Sequence, residues 1–362
     1  MIVQNVRHRP ARTLITMVGV AVEVVLVILV VGLTTGLLTD VAKRTEGVGA
    51  DIMVQPPSAS IWTAFSGAPM PVSIAGKLEE LKYVQAVAPV LVQFNSVNGL
   101  DVVYGIQPES FGSVSGGFVF HAGHGLQAPN DILVDDIYAR GKKVKLGQTL
   151  HILGHDWHVA GIVEHGKGAR LFVLMSALQE MSGAVNKASI FFVKCDRNDH
   201  APAASDEIKQ LLPGYEIRPL KDYISLMTSS NLPGLSAFIS VMIGIAVAIG
   251  FLVIFLSMYT TIIERTREIG VLKSLGASKP YIVQIVLSET ALLCILGTAA
   301  GIGLSFLARW AFLSIFPTIT ILIVPKWVGY AALIAVGGGL LGAMYPAWMA
   351  SRKDPVEALV YE

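Results

Sequence analysis

Cysteine is almost absent from this chain, which holds only Cys195 and Cys294 among 362 residues. Cys294 lies inside a long apolar run and Cys195 lies outside one, so the two are not expected to pair. This excludes a disulfide framework as the basis of the fold. Charged residues are also scarce, at 15% of the chain, and the formal net charge is only +1. So balanced a composition cannot assemble a strongly basic surface, which excludes nucleic acid as a partner.

The motifs of hydrolases and metalloenzymes are missing too. The sequence has no nucleophile elbow, no HExxH and no CxxC, so we predict no catalytic residue, no metal site and no cofactor site in this chain. Two segments imitate such sites. Residues 161–168 follow the spacing of a phosphate-binding loop, but Gly168 stands where serine or threonine would hold magnesium, so we interpret them as a turn. Seven of the eight histidines lie between His121 and His200, and we interpret them as surface residues rather than as zinc ligands.

Apolar residues, in contrast, make up 53% of the chain, and the mean hydropathy is +0.61. Four runs are long enough to cross a bilayer as helices, for which about 20 apolar residues suffice. Arg and Lys concentrate in three short segments, namely the two termini and the segment that connects helices 2 and 3. Four spans place these three segments on the same side of the membrane. The positive-inside rule assigns that side to the cytoplasm, and the large domain to the outside. The predicted order is a cytoplasmic amphipathic segment at 1–12, helix 1 at 13–39, the extracytoplasmic domain at 40–236, helix 2 at 237–261, a cytoplasmic helix at 262–280, helix 3 at 281–315, helix 4 at 326–350 and a cytoplasmic tail at 351–362.

Residues 40–236 have the composition of a soluble domain, with mixed charges and no run long enough to span a membrane. Short β-type segments alternate there with helical ones, which predicts an α+β domain inserted between helices 1 and 2. Residues 34–44 and 221–237 keep helix-like spacing, and we expect them to extend helices 1 and 2 beyond the bilayer. The predicted strands are 50–55, 87–97, 100–106, a strand running into a helix over 132–140, 149–153, 157–163, 171–174, 189–194 and 215–219, and the predicted helices are 73–84 and 204–212.

The segment at 262–280 is the most informative stretch outside the apolar runs. Charges of both signs appear there abruptly, and helical spacing groups its apolar residues toward one side. Such a helix is suited to being moved by a cytosolic partner, although an ordinary solvated turn is an alternative. Gly276 is expected to end it. The residues that we expect to take part in such coupling are Glu264, Arg265, Arg267, Glu268, Ile269, Leu272, Lys273, Leu275 and Gly276, with Ile269, Leu272 and Leu275 as apolar contacts for the partner.

Two carboxylic acids fall inside the predicted membrane helices. Glu23 is about ten residues into helix 1, and Glu289 is about two turns into helix 3. A carboxylate is costly in lipid, so each side chain should face protein or water and is a functional candidate. For Glu23 we weigh a role in substrate passage or proton-linked motion against pairing across helices.

Three segments carry a resemblance to a known family, the FtsX/MacB-type (type VII) permeases of ABC transporters. ERTREIGVLKSLGA at 264–277 resembles the cytoplasmic coupling segment of that family, and residues 5–19 are similar to its amphipathic N-terminal helix. Residues 132–164 and 171–179 loosely follow the pattern of its periplasmic core domain. YPAWMASRKDPVEAL at 345–359 resembles its closing signature, represented here by Pro346, Arg352, Pro355, Ala358 and Leu359.

The resemblance implies an inner-membrane permease without a fused ATPase domain. It is expected to be driven by two copies of a separate ABC ATPase subunit, which binds ATP and Mg. The resemblance also implies a second permease copy or a related permease, contact with the lipid membrane, and mechanotransmission to a periplasmic domain. Export with a periplasmic membrane-fusion or adaptor protein is the first expectation. Lipoprotein or lipid extraction, FtsX-like regulation of a cell-wall hydrolase and a membrane-anchored sensor are the alternatives.

Overall fold

The computed structural model of the chain describes residues 10–57, 69–95, 101–226 and 234–353. These residues form two compact units. The helical unit contains residues 10–36, 234–315 and 321–353, and the sheet unit contains the residues described between 37 and 226, together with 316–320. Helix α1, Pro10–Glu46, contributes to both units. It therefore includes residues 34–44 without a break, as the sequence predicts, and its 37 residues correspond to about 55 Å.

The sheet unit is an α+β domain inserted between the first and second long helices. Its strands are β1 Ile52–Gln55, β2 Met70–Pro71, β3 Val84–Asn95, β4 Asp101–Ile106, β5 Phe120–Gly123, β6 Asp131–Asp135, β7 Thr149–Ile152, β8 His155–Val163, β9 Leu171–Leu174, β10 Lys187–Ala188, β11 Ile190–Cys195 and β12 Glu216–Pro219. Its helices are α2 Ile74–Glu79, α3 Pro108–Ser115, α4 Asp136–Lys142, α5 Met175–Ser182, α6 Ala201–Leu211 and α7 Leu220–Leu226, with a 3-10 turn at Asn198–His200.

Within the described residues, ten strands form one sheet in the order β12-β1-β11-β3-β4-β9-β6-β8-β5, with β7 paired to β8 off this path. Most pairs are antiparallel, but β4–β9 and β6–β8 are parallel. Both faces of the sheet are covered: Leu171 and Val173 contribute to one apolar cluster, and Phe172 between them contributes to the other. Because alternate residues face opposite sides, burial on both sides requires continuous apolar runs, which is why these strands were recognisable in the sequence.

Several sequence expectations for this unit need correction. The helix predicted at 73–84 ends at Glu79, and the following residues lead into β3, which begins at Val84. Helix α3 and strand β5 were not predicted, because glycine and serine hide the helical pattern of the first and the second is only four residues long. Of the extension expected at 221–237, residues 221–226 belong to α7, which ends at Leu226, and residues 235–237 belong to the long helix Leu235–Glu264; residues 227–233 lie outside the described part of the chain.

The helical unit contains α1 together with α8 Leu235–Glu264, α9 Thr266–Ser274, α10 Lys279–Ile315 and α11 Pro325–Arg352. Among the described residues, α1, α8, α10 and α11 are long and apolar enough to cross a membrane. Small residues let these helices approach closely. An added Cβ at Gly297 would come within 2.8 Å of Val20, and one at Gly342 within 2.9 Å of the Phe251 carbonyl oxygen. The chain is therefore a membrane protein of four long helices, with an α+β domain between the first and the second.

Candidate coupling site

The segment between α8 and α10 folds as a short separate helix. Helix α8 ends at Glu264, Arg265 leaves helical geometry with φ −105° and ψ 15°, and α9 follows over nine residues. Two hydrogen bonds close α9: the Ala277 N–H donates to the Leu272 carbonyl and the Gly276 N–H to the Lys273 carbonyl, both at 3.0 Å. Gly276 has φ +94°. This is the Schellman arrangement, which favours glycine, so Gly276 ends the helix as the sequence predicts.

The inner face of α9 is fixed to the helical unit. Ile269 is only 8% exposed and belongs to a cluster with Ile262, Ile282 and Ala350, against which Leu272 is partly buried. In this structure Ile269 and Leu272 pack against the helical unit, and their contact with a partner stays a prediction. These two side chains pack into the apolar cluster that forms where the ends of α8, α10 and α11 meet beneath α9.

The outer face of α9 is open and carries different residues. Leu275 is 79% exposed and Val271 is 41% exposed. The side chains of Glu264, Arg267 and Glu268 are also on the exposed side. Leu275 is thus the exposed one of the three predicted apolar contacts, and Val271 is exposed as well. Val271 was not among those contacts, because helical spacing places it on the same apolar side as Ile269 and Leu272 and does not tell which of these side chains the neighbouring helices cover.

Arg265 does not belong to the open face, although it was expected to. Its guanidinium group is 18% exposed and bonds Glu268 at 2.8 Å and Glu289 at 3.0 Å. Burial acts to lower the pKa of Arg265, but both carboxylates outweigh it and raise that pKa above its usual value. The group is thus a fixed positive charge that joins the start of α9 to α10. Glu289 is accordingly explained as the buried partner of this ion pair. These side chains border an apolar pocket of about 480 Å³ between α9 and the neighbouring ends of α8 and α10.

Lys273 links α9 to the end of α11. Its ammonium group donates to the Ser351 carbonyl at 3.0 Å and also to the Lys353 carbonyl. The closing signature surrounds this contact: Pro346 is buried inside α11, and the Arg352 guanidinium lies 4.1 Å from the centre of the Trp348 ring. Pro355, Ala358 and Leu359 lie outside the described residues. The coupling segment and the closing signature, 80 residues apart, are therefore in contact.

Glu23 is buried where the long helices of this unit meet. Its side chain is 5% exposed, and a Cβ added at Gly250 on α8 would lie 1.8 Å from its Oε2. Its Oε1 has no hydrogen-bond partner among the described residues. The alternative in which Glu23 pairs across helices has no support among these residues, and the side chain stays a functional candidate.

A second charged cluster lies within the sheet unit. The Arg170 guanidinium, 8% exposed, bonds Asp135 at 3.0 Å, Asp40 at 3.2 Å and the Thr318 carbonyl at 3.2 Å. Burial raises the pKa of Asp135, and the Arg170 charge opposes that rise. The cluster ties the last turns of α1 and the loop that follows α10 to the sheet. Sequence reasoning missed it, although Asp40 at the end of an apolar helix and Asp135 at the end of a buried strand were visible signals.

The two segments that imitate sites do not assemble one. Within the described ranges, no group of three or more His, Cys, Asp or Glu side chains is arranged to hold a metal ion. Four of these histidines each pair with one carboxylate, as His151 does with Asp156 and His165 with Asp136, each at 2.8 Å. After the loop at 161–168 the chain enters strand β9 rather than a helix, and Lys167 donates to the Ser115 carbonyl.

Two family models match this chain. The FtsX-like permease C-terminal model matches residues 240–355, and the MacB-like periplasmic core domain model matches residues 13–211, which is more than half of the chain. The first covers α9 and the end of α11, and the second covers α1 and most of the sheet unit.

Curated relatives align with 98% of the chain. The macrolide export ATP-binding/permease protein MacB of Hahella chejuensis is 26% identical, and the probable syringafactin export ATP-binding/permease protein SyfD of Pseudomonas syringae is 24% identical. The chain spans 58% of the length of each. Among solved structures, the periplasmic region of MacB from Actinobacillus actinomycetemcomitans is 16% identical, with a TM-score of 0.40 over 52% of this chain and 97% of that one. On the two family models, the chain belongs to the MacB/FtsX family of ABC-transporter permeases.

Proposed function

We propose that this protein is the permease subunit of an ABC transporter that works by mechanotransmission. An ABC ATPase in two copies supplies ATP hydrolysis and binds ATP and Mg, and two permease chains form the membrane part. The observation that carries the proposal is the two-sided character of α9. Its inner face is fixed to α8, α10 and α11, while its outer face presents Leu275 beside exposed charges. A helix of this kind passes a displacement at its outer face to the membrane helices.

Export of an amphipathic substrate is the activity that we propose for the complex. The names of the macrolide and syringafactin exporters support this class of substrate. The sheet unit, on the periplasmic side of the inner membrane, is the part that acts on the substrate, with an adaptor protein as its partner there. Lipoprotein or lipid extraction and regulation of a cell-wall hydrolase would use the same motion with a different outer partner.

The orientation is tested by thiol labelling in intact cells. A cysteine at Gln107, in the sheet unit, is expected to react with an impermeant maleimide from outside, and one at Ser274, on α9, only after permeabilisation. Both residues are exposed, whereas the native Cys195 and Cys294 are buried and give little background. We expect this labelling pattern because positive residues are concentrated around α9 and at the ends of the chain, and such residues favour the cytoplasmic side. Labelling of Ser274→Cys from outside would overturn the orientation and the ATPase contact together.

The coupling role is tested on the open face of α9. Truncating a well-packed apolar anchor costs on the order of 2 kcal/mol, so Leu275→Ala is expected to weaken ATPase docking roughly thirtyfold. Arg267→Glu is expected to weaken it as well, by repulsion from an acidic partner surface. The measurements are co-purification of the ATPase and ATP hydrolysis with and without substrate.

The matched control is Val185→Ala, which truncates an apolar side chain of the sheet unit that is 62% exposed. It should leave docking within about twofold of the unmodified complex, since it changes no residue of α9. If Leu275→Ala and Arg267→Glu behave like this control, retaining the ATPase and its response to substrate, then α9 is only a connector and the proposal fails.

A further inference from the structure

A groove of about 790 Å³ lies between the start of α10 and the end of α11, on the side of these helices away from Arg265. Its walls are largely apolar and include Val283, Leu287 and Ala291 from α10 with Leu340 and Trp348 from α11. Its other lining residues include Lys279 and Arg352, which are the first residue of α10 and the last of α11. Ala291 is twelve residues beyond Lys279, so the groove extends for about 18 Å along α10 from the charged end, and Gln284 and Ser288 are the polar residues of α10 that line it.

The two cations at this end, Lys279 and Arg352, have no carboxylate partner among the residues that the structure describes. The Arg352 guanidinium stacks on Trp348 at 4.1 Å, which fixes its plane against the wall of the groove. Stacking uses the face of the guanidinium group and leaves its N–H edges free to bind an anion in a bidentate manner.

The position of Lys279 adds a third source of positive potential. Residue 279 opens a helix of 37 residues, and the unpaired N–H groups of a helix N-terminus attract anions. A lysine, an arginine and the positive end of a long helix therefore meet at one end of an apolar groove. An amphiphile matches this arrangement, because its anionic head would lie at the positively charged end and its hydrocarbon tail along the apolar wall.

We propose that this groove is a binding site for an anionic glycerophospholipid. Lys279 and Arg352 hold the phosphate, and an acyl chain lies along Val283, Leu287 and Leu340. An apolar helix of a second permease would cover the wall but would bring no anion to Lys279 and Arg352, which lie exposed at the cytoplasmic end of the groove. A zwitterionic lipid brings its own ammonium group, which gains nothing from two further cations. The inference requires the membrane assignment of α10 and α11 and does not depend on the ATPase or on the exported substrate.

The experiment is native mass spectrometry of the purified full-length permease in detergent, titrated with phosphatidylglycerol or with phosphatidylcholine of the same acyl chains. Each basic residue near an anionic headgroup contributes roughly fivefold in affinity. We expect phosphatidylglycerol to be preferred, Lys279→Gln or Arg352→Gln to reduce that preference about fivefold, and the double variant to reduce it about twenty-fivefold. Arg352→Lys, which keeps the charge but loses the stacked bidentate geometry, should give a preference between those of the unmodified protein and Arg352→Gln.

The matched control is Lys145→Gln, which removes one exposed positive charge from the sheet unit and should leave the preference unchanged. An unchanged melting temperature of each purified permease variant, measured without the ATPase, shows that its fold is intact. Equal binding of both lipids, or an unchanged preference in the double variant, would overturn the proposal. Complete displacement of phosphatidylglycerol by an equal concentration of glycerol phosphate would also overturn the proposal. That result would identify an anion site in which the apolar wall has no role.

Discussion

Replacing Arg170 by methionine is expected to destabilise the sheet unit by about 3–5 kcal/mol, because it leaves the buried Asp135 carboxylate without its positive partner. Asp135 is fully buried, and Arg170 is the cation that bonds it and also reaches Asp40. For a domain of this size the loss corresponds to a fall in melting temperature of about 10 °C. The measurement is the fluorescence of Trp157, which is buried in the same unit, in a full-length chain whose other four tryptophans are replaced by phenylalanine.

Two further variants separate the charge effect from the loss of packing. Arg140→Met removes an arginine that bonds Asp136 at 2.6 Å but is 74% exposed, so its effect should stay below about 1 kcal/mol. Adding Asp135→Asn to Arg170→Met removes the stranded charge and should recover a large part of the loss. Equal melting temperatures for Arg170→Met and Arg140→Met would show that the buried cluster does not stabilise the unit.

The second large effect is expected at Gly250, in the middle of α8. A Cβ at this position would lie 1.8 Å from Glu23 Oε2 and 2.6 Å from its carboxyl carbon, so no side chain fits without moving α1 or the carboxyl group. We expect Gly250→Val to lower the melting temperature and the monodisperse fraction after detergent extraction, because the buried Glu23 carboxyl group must move to make room for the new side chain. The measurement is the monodisperse fraction in size-exclusion chromatography together with the melting temperature.

The same helix supplies the control for this prediction. Gly244 has nothing within 4 Å of its added Cβ, so Gly244→Ala should be neutral or slightly stabilising. Combining Gly250→Ala with Glu23→Ala opens the space that the methyl group needs and should restore recovery relative to Gly250→Ala alone. Normal behaviour of Gly250→Val would mean that α1 and α8 do not approach each other at Glu23.

The long helices and most strands were predictable because their patterns are local. An apolar run of 20 or more residues is explained only by a membrane, and a strand buried on both sides is a continuous apolar run. The faces of α9 were not predictable in this way. Which of Ile269, Leu272 and Leu275 is exposed depends on the break at Arg265, and that break accompanies an ion pair with Glu289, 24 residues further along the chain.

The charged clusters mark the same limit. Arg170 meets Asp135 and Asp40 from positions 35 and 130 residues away, so no spacing rule connects the three. Glu23 was recognisable because a carboxylic acid inside an apolar helix is rare in any membrane protein. The closeness of Glu23 to Gly250 was not recognisable, because a glycine in a membrane helix does not by itself indicate a close contact. Gly303 on α10, for example, has nothing within 4 Å of its added Cβ.

The tether from Lys273 to α11 changes how a load on α9 is distributed. A connecting helix held only by the peptide chain would pull on two neighbours, α8 and α10, and leave the last membrane helix to follow through side-chain packing. Lys273 instead holds two carbonyl groups where α11 ends, in the position where helix carbonyls otherwise lack a partner. Under the proposed coupling, a displacement of α9 would therefore act on the ends of three helices at once, and α11 would be linked to it through two hydrogen bonds that a single substitution of Lys273 removes.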